Sequence, residues 1–365
     1  MSLRLPAKFR IKIAKVLWIT IIWSIVGVLE ALYIHVLAID FPGLTRTGSY
    51  SFFQLLVINV FLTFTGGLVG GLVLVFGLRG RFRDRSFSMA VFLNTIVLVI
   101  ILLVVMGIAS GLYVDFFSGE TTFLPGLLEF YSSYFFLSKL VFWLILIFLT
   151  TLTLDVNDKF GAGVLRQFIL GKYHNPREEE RIFMFLDMKG STGIAEQIGH
   201  IRFFELLNDF FRDITDPILY SGGSIYQYIG DEIVIVWRLR SSRRNANCIR
   251  CFYNIREAIS SRKDYYQSTY GLVPEFKAGI HCGMVTIGEV GVLKKDIVFS
   301  GDVLNTTSRI QSLCNEYGVS LLVSRRLLKK IALPPDSMEP RKIGNISLKG
   351  KKKKVALFTI SEGWS

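Results

Sequence analysis

Two acidic residues in the second half of the chain occupy positions that suit metal-dependent chemistry. Asp187 ends an apolar, strand-like run and precedes a polar turn, and Asp231 lies in a tight Gly-Asp-Glu turn. Proteins hold hard cations such as Mg²⁺ with one or two carboxylates together with substrate phosphates. Either aspartate alone is more simply explained as a turn or cap residue. Together they predict a two-metal phosphoryl-transfer site.

The turn that follows Asp187 is a candidate phosphate site. It contains Gly190, Ser191 and Thr192, and it leads directly into a predicted helix. The backbone N–H groups of the segment from Met188 to Thr192 are free at a helix N-terminus, where they favour a polyphosphate.

A second group of polar residues lies further along the chain. Asn305 and Arg309 are four residues apart on a predicted helix, 303–316, that Asp302 opens as N-cap, so they share one face. Arginine presents a planar fork suited to phosphate, and asparagine adds a neutral donor and acceptor. Lys349 opens a loop before the last predicted strand and adds a positive charge. A solvated helix face and a basic surface hairpin explain these residues equally well, and spacing alone leaves both interpretations open.

Short strands and helices that alternate from Arg181 onwards predict an α/β domain that positions these side chains. Two of the strands form a hairpin-like pair around Gly283. The predicted strands are Ile182–Leu186, Ser224–Ile229, Ile233–Trp237, Phe276–Cys282, Met284–Val290, Asp296–Phe299, Val319–Val323, Arg341–Ser347 and Val355–Thr359. The predicted helices are Thr192–Gln197, Phe203–Tyr220, Asn245–Arg262 and Val303–Glu316.

The composition of the chain indicates a membrane protein with a soluble module attached. Of its 365 residues, 51% are hydrophobic and only 19% are charged, and the net charge is +13. This balance is too apolar for a purely soluble enzyme and too charged for a protein built only of membrane spans. It also excludes disordered chains, collagen-like repeats and disulfide-stapled secreted scaffolds.

Four apolar runs in the first part of the chain each exceed the roughly 20 residues that a helix needs to cross a bilayer. These runs are 13–39, 52–78, 87–114 and 127–154. We therefore expect a membrane domain over residues 1–154, a four-helix transmembrane bundle. A juxtamembrane helical linker over 155–176, helical within 159–172, and a cytosolic domain over 177–365 follow it.

The flanking charges set the expected orientation. Basic residues concentrate in the N-terminal arm and in the second connection, at Arg4, Lys8, Arg10, Lys12, Lys15, Arg79, Arg81, Arg83 and Arg85. Because cytoplasmic flanks carry the excess of Lys and Arg, both termini are expected in the cytoplasm and the protein in the inner membrane. The basic balance suits an anionic lipid surface, and nucleic acid is not an expected partner.

Two ionisable residues and a set of glycines stand out within the spans. Glu30 and Lys139 lie away from the middle of their runs, so we expect their charges to extend to the membrane interface. The alternative is an interhelical pair or a ligand-sensing site. Gly66, Gly67, Gly70 and Gly71 have the small-residue spacing that lets helix backbones approach closely, within one chain or between two.

The order of the motifs in the second half resembles the class III nucleotidyl cyclase catalytic domain. The matching segments are FLDMKGST at 185–192, YIGDE at 228–232, GDVLNTTSR at 301–309 and LKGK at 348–351. Together they span about residues 180–360, in the order and with the spacing of that family. The resemblance implies a domain of mixed α/β structure, classed as α+β, with a ferredoxin-like core.

The resemblance also implies a role for each motif. Asp187 and Asp231 hold two Mg²⁺ or Mn²⁺ ions per site, and the carbonyl of Met188 assists them. Asn305 orients the ribose and Arg309 stabilises charge on the α-phosphoryl group. Lys349 takes the terminal phosphates, and Gln227 and Val298 stand at the base-recognition positions. In this family the metal residues come from one protomer and the asparagine, arginine and lysine from the other, which implies a homodimer.

The resemblance therefore implies a membrane-bound adenylate cyclase that makes 3′,5′-cyclic AMP and pyrophosphate from ATP. Family adenylate cyclases commonly have Lys and then Asp or Thr at the base positions, and guanylate cyclases commonly have Glu and then Cys or a similar small polar residue. Gln227 and Val298 match neither pair, and a glutamine amide complements either purine. ATP is favoured by analogy with bacterial-type relatives. The alternatives are a guanylate cyclase that uses GTP, a catalytically silent nucleotide-binding membrane receptor, and a transporter or channel regulated by the soluble domain.

Overall fold

The chain forms two compact units, residues 1–160 and 161–365. A computed structural model describes residues 7–40, 52–78, 87–118, 128, 131–132, 134–160, 170–239, 246–293, 295–334, 338–348 and 354–362.

Four long helices make up the described part of the first unit. They are α1 Ala7–Asp40, α2 Phe52–Leu72, which a π-helical turn Val73–Leu78 continues, α3 Phe87–Ser118 and α4 Tyr134–Phe160. Each contains a stretch that is long and apolar enough to cross a membrane. The described fourth helix runs from Tyr134 to Phe160, past the predicted end at 154, while 127, 129–130 and 133 of the predicted run lie outside the described residues.

Residues 161–169, the middle of the predicted linker helix over 159–172, lie outside the described residues. The last part of the predicted helix is wrong: Leu170–His174 form a turn, in which Gly171 has a φ of 59°. A left-handed backbone ends a helix readily at glycine, which has no Cβ to clash.

Small residues allow α1 and α2 of the same chain to pack closely. A Cβ built on Gly27 would lie 2.2 Å from Oγ1 of Thr63, and one built on Gly67 would lie 3.0 Å from the Cα of Thr20. Gly71 also faces α1. The glycine spacing in α2 therefore serves a helix contact within one chain.

Glu30 and Lys139 form an ion pair that joins α1 to α4. Their side chains are only 8% and 12% exposed. The expectation that each charge extends separately to the membrane interface is wrong. Pairing offsets the desolvation cost that each charge would otherwise carry in an apolar environment.

Among the described residues of the second unit, eight strands form one mixed sheet. The strands are β1 Arg177–Met188, β2 Ser224–Ile229, β3 Glu232–Arg238, β4 Phe276–Val290, β5 Asp296–Ser300, β6 Leu321–Ser324, β7 Met338–Ile346 and β8 Val355–Glu362. The helices are α5 Ser191–Ile198, α6 His200–Tyr220, α7 Asn247–Ser260, α8 Lys263–Tyr270, α9 Asp302–Ser312 and α10 Arg325–Leu328.

The strand order is β2-β3-β1-β4-β6-β8-β7, and the remaining strand, β5, pairs with β4. β1 lies between β3 and β4 and is antiparallel to both. The first four strands and the helices between them therefore have the split βαβ arrangement of a ferredoxin-like core. This confirms the fold class that the sequence motifs imply.

β1 is buried on both faces. Ile182, Met184 and Leu186 belong to the larger core cluster, while Phe183 and Phe185 belong to a second cluster on the opposite face. Side chains alternate between the faces of a strand, so a strand covered on both sides has a continuous apolar sequence. This burial makes β1 a rigid support for the residue at its end.

β4 is one 15-residue strand, not the predicted pair of strands around Gly283. A Cβ on Gly283 would lie 2.5 Å from Cγ2 of Val303, and one on Gly279 would lie 2.5 Å from the backbone nitrogen of Gln311. The glycines are needed because α9 packs directly on the strand. The predicted N-cap is also wrong, since Asp302 is the first helical residue and Gly301 precedes it as the cap.

Candidate active site

Asp187 lies at the end of β1, where two neighbouring strands and one helix converge. In the sheet register it is opposite Glu232 of β3 and Lys277 of β4. Its Oδ2 accepts a hydrogen bond of 2.9 Å from Nε2 of Gln311 and lies 3.3 Å from Nζ of Lys277. The carboxylate is therefore held by β4 and by α9.

The β2–β3 turn brings Asp231 to Asp187. Gly230 occupies the first central position of this two-residue turn with a φ of 63°, which glycine adopts without steric cost. Burial raises the pKa of Asp187, and the hydrogen bond and the negative charge of Asp231 raise it further, while Lys277 opposes them. The two aspartates thus share one electrostatic site.

Glu232 is a third carboxylate in this site. Burial, followed by repulsion from Asp187 and Asp231, raises its pKa from 4.5 to about 7, and Lys277 partly offsets this. Three acidic groups therefore lie close together beside Lys277, and the repulsion among them favours binding of a cation.

The donors present fit a Mg²⁺ or Mn²⁺ site that the substrate completes. Met188 is 2% exposed and its side chain lies in the core, so only its backbone carbonyl is available as a ligand. Among the described residues no group of three or more His, Cys, Asp or Glu side chains has metal-binding geometry. Two aspartates and a carbonyl match hard cations that take their remaining ligands from water and phosphates.

The turn after β1 presents an open helix N-terminus. Gly190 has a φ of 66° and precedes α5, and its position carries no side-chain cap. Ser191 is half-buried and Thr192 is exposed in the first turn of that helix. Their backbone N–H groups have no intrahelical acceptor, as expected for the first turn, and point out of the helix end.

Asn305 and Arg309 lie on α9, on the side away from the buried residues Val303, Thr307 and Ile310. Asn305 is exposed and Arg309 is half-buried. Among the described residues, the side-chain contacts of Asp187 from α9 come from Gln311 and from neither of these two. The predicted Lys349 lies outside the described residues.

The two positions predicted for base recognition lie on segments that contact each other. Tyr226 of β2 and Phe299 of β5 have ring centroids 4.8 Å apart, and the backbone nitrogen of Phe299 donates to the Tyr226 hydroxyl at 3.3 Å. Gln227 and Val298 are adjacent to these residues in sequence. Gln227 is exposed and Val298 is half-buried.

Three residues of this site were not predicted: Glu232, Lys277 and Gln311. Glu232 directly follows Asp231, so a search for acidic neighbours would have found it. The position of Lys277 beside Asp187 depends on the β1–β4 register, and that of Gln311 depends on how α9 packs on the sheet. Neither position has a local sequence signal.

The second unit also matches known proteins. A family model described as the adenylate and guanylate cyclase catalytic domain matches residues 174–362. Adenylate cyclase 2 of Rhizobium meliloti is 37% identical over 210 residues, which are 58% of this chain and 58% of that protein. An adenylate cyclase of Anabaena cylindrica is 28% identical over 184 residues, 48% of this chain and 36% of that protein.

The chain thus spans little more than half the length of the first of these curated relatives. A bacterial light-regulated adenylyl cyclase of solved structure has a TM-score of 0.52 at 20% identity, covering 61% of this chain and 66% of that one. At this identity the likeness shows a shared fold.

Proposed function

The chain belongs to the adenylate and guanylate cyclase catalytic domain family, and on this premise we propose that it is a membrane-bound adenylate cyclase. It converts ATP to 3′,5′-cyclic AMP and pyrophosphate. The observation that carries the proposal is the pairing of Asp187 with Asp231 at the edge of a rigid sheet. Two such carboxylates, on the fold of a phosphoryl-transfer family, suit a metal–triphosphate substrate.

Asp187 and Asp231 would hold two Mg²⁺ or Mn²⁺ ions, with help from the Met188 carbonyl. The ions would supply a lowered pKa at the ribose 3′-hydroxyl and neutralisation of the phosphates. Lys277 and Gln311 keep Asp187 in a fixed orientation, because both contact its Oδ2. The protein thus contributes a preorganised pair of carboxylates.

The ribose 3′-oxygen attacks the α-phosphorus in line, and pyrophosphate leaves. Arg309 stabilises the charge that develops on the α-phosphoryl oxygens, and Asn305 orients the ribose. Lys349 and the N–H groups of the turn from Gly190 to Thr192 bind the other phosphates.

The site is shared between two copies in a homodimer. Asp187 contacts Gln311 of its own α9, whereas Asn305 and Arg309 lie on the side of that helix that faces away from the core. An arrangement in which these two serve the partner's aspartates uses the exposed face of the helix. Two-fold symmetry then gives two equivalent sites.

ATP is the proposed substrate because both curated relatives are named adenylate cyclases. Gln227 presents one donor and one acceptor and is compatible with adenine, but it does not exclude guanine. GTP is the second candidate for this reason.

The four apolar helices anchor the enzyme in the inner membrane, with both termini and the catalytic domain in the cytosol. Basic residues at the start of α1, including Arg10, Lys12 and Lys15, support this orientation. They also suit contact with anionic lipid head groups.

The test is an assay of purified membranes with Mg-ATP or Mg-GTP. We expect cyclic AMP, and a loss of at least about 100-fold in Asp187→Ala, since one preorganised electrostatic group contributes that much. Asp264→Ala, which removes an exposed carboxylate on α8, is the matched control and should retain activity. Undiminished product from Asp187→Ala rejects the proposal. Tight ATP binding without any cyclic product indicates a silent receptor.

A further inference from the structure

Gln311 contacts the metal-binding carboxylate from the helix that carries Asn305 and Arg309. Its Nε2 donates to Oδ2 of Asp187 at 2.9 Å, although 124 positions separate the two residues. Gln311 is only 5% exposed. Water therefore competes little for this hydrogen bond, and a donor to an ionised acceptor is among the stronger kinds.

The same carboxylate oxygen is also contacted from β4. Nζ of Lys277 lies 3.3 Å from Oδ2 of Asp187. Two donors on one oxygen restrict rotation of the carboxylate and occupy Oδ2. A cation would then bind Oδ1, and the contacts of Gln311 and Lys277 with Oδ2 determine the direction in which Oδ1 points.

Gln311 is also a residue at which the backbone of α9 packs closely on the sheet. A Cβ on Gly279 of β4 would lie 2.5 Å from the backbone nitrogen of Gln311 and 2.8 Å from its Cα. The backbone of Gln311 is therefore fixed against β4 while its side chain is fixed to β1. Since α9 is a short helix of 11 residues, this point sets where Arg309 and Asn305 lie.

We propose that Gln311 is a positioning residue that links the two active sites of the homodimer. The inference rests on the proposed function, in which Asp187 acts at one site and Asn305 and Arg309 of the same chain act at the other. The Gln311 amide orients Asp187 for cation binding at the first site. The same contact fixes α9 on β1, and so sets the arginine and asparagine for the second site.

A heterodimer with one working site separates these two effects. One full-length copy carries Arg309→Ala and keeps both aspartates; the other carries Asp231→Asn and keeps Asn305 and Arg309. Different affinity tags on the two copies allow the mixed dimer to be purified in detergent. Gln311→Met, which removes the donor at similar side-chain length, is then placed in either copy.

Two measurements follow each placement: Mn²⁺ binding by electron paramagnetic resonance, and the rate of cyclic AMP formation at saturating Mn²⁺ and ATP. In the copy with both aspartates, Gln311→Met should weaken Mn²⁺ binding about tenfold, as loss of an outer-shell partner does. In the other copy it should leave Mn²⁺ binding unchanged and lower kcat about tenfold, because a misplaced arginine orients the substrate poorly. Ser312→Ala, an exposed change on the same helix, should alter neither quantity.

Unchanged Mn²⁺ binding in the first placement overturns the positioning role, and unchanged kcat in the second overturns the link between sites. If Gln311→Met lowers the melting temperature, Gln311→Leu, which also lacks the donor and is uncharged at this buried position, should give the same asymmetry. A parent heterodimer that makes no cyclic AMP, while the unmodified homodimer does, overturns the shared site and the link with it. The Mn²⁺ measurement still reports the Gln311–Asp187 contact in that case.

Discussion

Glu30 and Lys139 pair inside the helical unit although 109 positions separate them in sequence. The contact joins the first apolar helix to the last. One side chain is 8% and the other 12% exposed, so each charge is largely removed from solvent and lies against an opposite charge. An electrostatic contact thus joins α1 to α4 in the helical unit.

Removing one member of this pair should destabilise the helical unit. We expect Glu30→Leu to cost about 3–5 kcal/mol, because it removes the opposite charge that the buried Lys139 ammonium contacts. The double variant Glu30→Leu, Lys139→Leu should recover most of this loss, since two apolar side chains need no partner. Melting temperatures in lipid nanodiscs measure both effects. A double variant no more stable than Glu30→Leu alone would contradict the importance of the pair.

The close approach of α9 to β4 predicts a strong effect of a single methyl group. Gly279→Ala should push α9 from the sheet, because its Cβ would meet the backbone nitrogen of Gln311 at 2.5 Å. Overpacking of this kind costs about 1–3 kcal/mol. Cyclic AMP formation should also fall at temperatures at which the variant stays folded, because Arg309 moves with the helix.

Gly344→Ala is the matched control for this change. It adds a methyl group on β7, where the nearest atom, in Ile346, is 3.9 Å away, an ordinary contact. Cyclic AMP formation and the melting temperature together distinguish the two variants. Equal behaviour of Gly279→Ala and Gly344→Ala would show that α9 can shift without consequence.

The raised pKa of Glu232 predicts how stability depends on pH. The folded protein holds this proton up to about pH 7, whereas the unfolded chain releases it near 4.5. The folded state therefore binds more protons in this interval, and its stability falls as pH rises from about 4.5 to about 7. Glu232→Gln has no such proton to lose, so it should be the more stable protein at pH 8.

Thermal unfolding in EDTA between pH 5 and pH 8 measures this difference. The melting temperature of the unmodified protein should fall relative to that of Glu232→Gln as pH rises, and the two should converge towards pH 5. Added Mg²⁺ should reduce the gap at pH 8, because a cation stabilises the ionised carboxylates. A constant gap across the range would show that Glu232 does not titrate there.

Local features of the site were predictable from sequence, whereas long-range contacts were not. The strand that ends at Asp187 and the turn that contains Asp231 each depend on a few adjacent residues, and the order of the motifs implied the ferredoxin-like core that the sheet confirms. Gly283 was misinterpreted as a turn because a glycine that makes room for a helix has the same sequence signal. The Gln311–Asp187 contact joins residues 124 positions apart, and no periodicity encodes it.

The purine preference should depend on Gln227, which is exposed on β2. In the family, adenylate cyclases commonly have lysine at this position and guanylate cyclases glutamate. A carboxylate accepts from the N1–H and the amino group of guanine but not from adenine N1, so Gln227→Glu should raise the ratio of GTP to ATP turnover. A bidentate base contact discriminates by about 1–3 kcal/mol, which corresponds to a factor of about 5 to 150. The measurement is kcat/KM for each nucleotide, with Ser224→Ala, an exposed change on the same strand, as the control that should leave the ratio unchanged. If Gln227→Glu leaves the ratio as it is, the base is read elsewhere, and the segment around Val298 becomes the next position to vary.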